Sequence, residues 1–92
     1  MADFECHITM KGDRFFLERI VKTLKHGWSF SCIDGDPVLG YGVFCYATNH
    51  FPSLRDAKFE VGQALMILED EGIKPTRAKI EHVIWDKRFD RA

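Results

Sequence analysis

Ninety-two residues are enough for one small hydrophobic core and too few for two, so a single domain over residues 1–92 is expected. With 46% hydrophobic and 29% charged side chains, eight Phe, two Trp and three Pro, the composition is that of a folded globule and excludes a disordered chain. Thirteen basic against fourteen acidic residues leave a formal charge of -1, which excludes a global field toward nucleic acid or an anionic membrane, so any such binding has to be local.

From Phe4 to Met10 the chain alternates, with Phe4, Cys6, Ile8 and Met10 on one face and Glu5, His7 and Thr9 on the other. That period predicts a half-buried first strand. Lys11, Gly12 and Asp13 interrupt it, and Asp13 is placed to cap a helix in which Phe16, Ile20, Val21 and Leu24 recur at three- and four-residue spacing, with Gly27 as its stop. Trp28 to Ile33 and Tyr41 to Thr48 are short aromatic and β-branched runs, predicted as strands two and three of a hairpin joined by a structured loop at 34–40. Ser53-Leu54-Arg55-Asp56 begins a second helix like a capping box, and Leu54, Ala57, Val61, Ala64, Leu65 and Leu68 form its apolar stripe. Phe59, Met66 and Ile67 lie off that stripe, either as a partner surface or as the margin of a broad buried one. Gly72 and Pro75 end the helix, Arg77 to Trp85 predicts the fourth strand, and the charged tail 86–92 is expected to fray.

The order strand, helix, strand, strand, helix, strand is that of an α+β, ferredoxin-like sandwich, in which right-handed crossovers give a four-stranded antiparallel sheet of order 4-1-3-2 with both helices on one face. The register of the fourth strand decides what the other face carries. Burying Ala78, Ile80, His82 and Ile84 under the helices costs one imidazole, whereas the opposite register would bury Arg77, Lys79 and Glu81. The open face is therefore expected to hold His7, Thr9, Arg77, Lys79 and Glu81, walled by Phe44, Tyr46 and Trp85. Val43, Cys45 and Ala47 are assigned to the core side of strand three, although either set of that strand suits the core.

Such a patch suits an anion, since Arg77 and Lys79 supply charge-assisted donors, Thr9 a hydroxyl, and His7 a group that exchanges a proton near neutral pH with Glu81 orienting it. The same residues also suit plain cross-strand pairing that keeps an uncovered sheet hydrated. The loop Asp34-Gly35-Asp36-Pro37 has turn chemistry and lacks the further ligands of a calcium loop, and the cysteines and histidines show no zinc spacing, so no metal and no cofactor are expected. His50, just after strand three, is within reach of the edge of the polar patch, but with no ligand partner at fixed spacing it is expected as an exposed loop residue. Cys6, Cys32 and Cys45 form an odd set without a C-x-x-C pair and are expected as reduced, buried thiols. With neither a leader segment nor an apolar run long enough to span a bilayer, a cytoplasmic location is expected, and no membrane partner.

His7-Ile8-Thr9 is an H-x-[ST] motif and resembles the signature of the two-histidine phosphoesterases, in which a strand His and a hydroxyl residue grip a phosphate. Those enzymes carry two such motifs in two lobes. This chain has one lobe and one motif, and His82-Val83-Ile84 lacks the hydroxyl. Leu39-Gly40-Tyr41-Gly42-Val43-Phe44-Cys45-Tyr46 resembles the strand-three signature of the RNA-recognition motif at Gly40, Tyr41, Gly42 and Tyr46, with Leu39 in place of a basic residue and Val43 in place of a stacking aromatic.

The function expected from the residues is a small binding module whose open sheet face takes an anionic, phosphate-bearing small molecule or a protein partner, with His7, Thr9, Arg77, Lys79, Glu81 and Tyr46 as ligand-binding residues. The alternative is a single-lobe phosphoesterase-like enzyme in which His7 is catalytic. RNA binding ranks behind both. A homodimer formed through the open face or an adjoining edge is expected, because the large rings of Phe44, Tyr46 and Trp85 call for cover.

Overall fold

A computed structural model describes residues 3–36 and 40–83, the side chains at 34–36 and 40–43 excepted. Its elements are β1 (Asp3–Lys11), α1 (Arg14–Val21), β2 (Ser29–Asp36), β3 (Gly40–Phe51), α2 (Leu54–Asp70) and β4 (Arg77–Val83). All strand pairs are antiparallel, and the sheet runs β2-β3-β1-β4. The expectations placed on Pro37, Val38, Leu39, Ile84, Trp85 and the tail, and on the side chains of Asp34, Asp36, Tyr41 and Val43, lie outside the described residues.

The alternation of β1 divides the sheet as its sequence implies. Cys6, Ile8 and Met10 are fully buried and join Cys45 and Ala47 of β3 with Leu17, Ile20 and Val21 of α1 and Ala57, Val61, Ala64 and Leu68 of α2 in one cluster. Both helices thus cover the same face, and no described residue covers the opposite one. Leu17, which the sequence spacing did not single out, is buried, whereas Leu54 at the head of the expected stripe is exposed.

The Asp13 carboxylate accepts from the Phe15 amide at 3.0 Å and starts α1, which stops at Val21 rather than near Gly27. The reason is local. The Thr23 and Leu24 amides donate to the Ile20 and Val21 carbonyls three residues back, and the Thr23 hydroxyl donates to the Ile20 carbonyl at 2.6 Å, so the last turn tightens and runs out. Two consecutive left-handed residues, His26 (φ 73°) and Gly27 (φ 71°), then turn the chain into β2, with the Asn49 amide group donating to the His26 carbonyl at 2.8 Å. Helix α2 opens on Ser53, whose hydroxyl accepts from the Asp56 amide at 3.1 Å. It closes where Gly72 (φ 81°) donates to Glu69 and Ile73 to Leu68, each at 2.9 Å, and buried Ile73 lies in the same core cluster as Leu68.

Two further expectations fail. The hairpin strands run on to Asp36 and resume at Gly40, so most of the segment read as a loop is strand, with a bulge between Asp34 and Asp36. Cys32 and Cys45 are not reduced thiols: they stand directly opposite across β2 and β3, Cα atoms 4.1 Å apart, and are joined as a disulfide. Cys6 alone is free and buried. No helix among the described residues is long and apolar enough to cross a membrane.

Candidate functional site on the uncovered sheet face

The bare face is ordered in rows that cross the strands. Ser31, Tyr46, Thr9 and Arg77 are successive partners from β2 to β4 and form one row; Ser29, Thr48, His7 and Lys79 form the next; His50, Glu5 and Glu81 form the third. Because directly opposed residues of an antiparallel pair point to the same side, each row is a line of neighbouring side chains. Ile80, on the other parity of β4, packs against the core. His82 shares that side but is exposed, not buried as expected, since it lies near the end of β4, where its ring stacks on Phe4 at 4.5 Å.

His7, Thr9, Tyr46, Arg77 and Lys79 together line a shallow depression of about 210 Å³ that spans the first two rows. Glu81 does not line it. Its carboxylate pairs with the Lys79 ammonium, whose hydrogen bond and charge hold Glu81 below the usual carboxylate range. Arg77 is in no ion pair among the described residues.

His7 is oriented differently from expectation. Its Nε2 contacts the Glu5 carboxylate and its Nδ1 lies 3.2 Å from the Thr48 hydroxyl. A carboxylate can only accept, so the proton is on Nε2, and in the neutral ring Nδ1 accepts from Thr48. Glu5, not Glu81, is the orienting acid. His50 belongs to β3 rather than to a loop, and its Nδ1 donates to Asp3 at 2.7 Å, which extends the chain of polar contacts from Thr48 through His7 and Glu5 to the edge of the face. Glu5 reaches His7 from two residues along the same strand face, whereas the role of Thr48 follows only from the register that sets it opposite His7.

The face is polarised along the strands. Lys11, whose ammonium lies 6.0 Å from the Phe44 ring, and Arg77 stand at one end, Asp3, Glu5 and Glu81 toward the other, with His7 and Lys79 between. Among the described residues, no three His, Cys, Asp or Glu side chains converge as metal ligands. Beneath the sheet, burial first and then the Asp3 and Glu5 carboxylates push the Cys6 thiol up to about 11, which makes it a poor nucleophile. The chain matches no protein-family model, no curated protein and no solved structure.

Proposed function

We propose that this chain is a binding module that takes a small phosphate-bearing anion in the depression on its uncovered sheet face. The carrying observation is the convergence there of Arg77 and Lys79, two same-face neighbours on β4, with the Thr9 and Tyr46 side chains. A guanidinium forks onto two oxygens and an ammonium adds a point charge, which is the donor set a phosphate needs. The Lys79 contact with Glu81 is a resting partner that an anion displaces, since Glu81 stands outside the depression. We read the fold as a ferredoxin-like sandwich, supported by the element order and by a sheet that, taken from the β4 edge, runs 4-1-3-2.

Binding is favoured over catalysis because both imidazole nitrogens of His7 are engaged, which leaves the ring no free nitrogen for a substrate proton. The test is titration with pyrophosphate, followed through the backbone amide shifts of His7, Thr9, Arg77 and Lys79. Arg77→Ala and Lys79→Ala should each weaken binding by ~1.5–3 kcal/mol, roughly ten- to hundredfold, and added salt should weaken it further. His7→Ala should cost no more than either. Turnover of a phosphodiester that vanishes in His7→Ala would replace this reading with the phosphoesterase one, and unmoved amides at all four positions would refute it.

A further inference from the structure

We propose that the outer face of α2 is the contact by which two copies of this chain pair, antiparallel about a two-fold axis at Gly62. The helix spans Leu54–Asp70, and Gly62 is its central residue. Arg55, Lys58, Phe59, Gly62, Met66 and Glu69 are all exposed and recur at three- and four-residue steps, opposite the buried stripe of Ala57, Val61, Ala64 and Leu68. Phe59 and Met66 are each 61% exposed, flanking a glycine.

The glycine is the informative residue. A Cβ built on Gly62 meets nothing within 4 Å, so nothing in this copy requires its absence. A mid-helix glycine is nonetheless less favourable than alanine, whereas a helix crossing at that point brings the two backbones together most closely when the side chain is missing.

The charges identify the occupant. Arg55 and Lys58 lie before Gly62, and Glu69 and Asp70 after it; none of the four is in an ion pair among the described residues. A two-fold axis at Gly62 faces Arg55 of each copy with Glu69 of the other, since both stand seven residues from the centre, and because it keeps each flank of the helix on its own side it faces Phe59 with Met66 and Lys58 with Leu65. The face is therefore complementary to itself only when inverted: a parallel pairing would set Arg55 against Arg55. The lysine stem covers the half-buried leucine while its ammonium stays in water. This pairing leaves the sheet face open and is independent of what that face binds.

Sedimentation at high micromolar concentration should show a concentration-dependent dimer. Gly62→Gln, for which the single copy has room, should keep the circular dichroism spectrum and weaken the dimer at least tenfold. Arg55→Glu should weaken it on the order of tenfold, through two symmetric contacts that become repulsive, and higher salt should weaken the wild-type dimer. The decisive variant carries Arg55→Glu and Glu69→Arg together, which restores opposite charges across the axis and should recover wild-type pairing. A wild-type chain that stays monomeric would overturn the proposal, as would a dimer indifferent to Gly62→Gln or a double variant no tighter than Arg55→Glu alone.

Discussion

Cys6 shows how one position reports on the whole core. Its thiol is fully buried, and it is the one free thiol among the described cysteines. Because its folded value is raised from the ordinary 9.0 to about 11, the neutral thiol is the form the fold favours. The corresponding stability is complete below about pH 9, where the unfolded thiol is also neutral, and is lost as pH rises from there toward 11. Native protein at pH 8 should resist alkylation by iodoacetamide at Cys6 over hours and react promptly in denaturant; rapid labelling without unfolding would show the thiol to be open. Cys6 was legible in advance because the alternation of β1 fixes its face. Of the partners of His7, Glu5 shares its strand face two residues away, whereas Thr48 is 41 residues away and reaches it only through the strand register.

At the scale of the element, helix ends were easier to anticipate where a particular residue type marks them than where main-chain hydrogen bonds alone end the turn. Ser53 and Gly72 bound α2 as their residue types imply, while α1 ends early through backbone turns that no apolar spacing announces. The two ends of α2 should respond by different mechanisms. Ser53→Ala removes an acceptor for the Asp56 amide and should lower stability by ~1 kcal/mol. Gly72→Ala meets no atom within 4 Å, so its cost of ~1–2 kcal/mol is the left-handed backbone alone. Urea unfolding measures both, and an unchanged midpoint for Gly72→Ala would mean that the turn relaxes out of its positive φ. The register of β4 was legible for an energetic reason: three charges at Arg77, Lys79 and Glu81 are too costly to bury together.

For the molecule as a whole, one inserted residue decides which side chains meet. The pairing of Asp36 with Gly40, continued without interruption, would set Cys32 opposite Phe44, on the wrong side of the sheet. The bulge at Asp34 and Asp36 shifts the register by one, and Cys32 meets Cys45. A sequence reading that takes 34–40 as loop has no access to that shift, which is why the disulfide was missed. The bond closes a loop of sequence separation 13, for which chain entropy suggests a stabilisation of about 3 kcal/mol. Dithiothreitol should lower the unfolding midpoint measurably in the wild type and leave Cys32→Ala unaffected; equal midpoints with and without reductant in the wild type would show that the bond adds no stability.

The lengthwise polarity of the bare face has a further consequence for encounters in solution. Asp3 and Lys11 are eight strand residues apart, about 26 Å at ~3.3 Å per residue. That distance exceeds the roughly 8 Å over which ions at physiological strength damp a charge, so the acidic and basic ends act as separate electrical objects. The formal charge of -1 describes neither end. Among the described residues of this face, an approaching anion is met first by Lys11 and Arg77 and a cationic surface by Asp3, Glu5 and Glu81, so oppositely charged bodies are drawn to opposite ends of the strands.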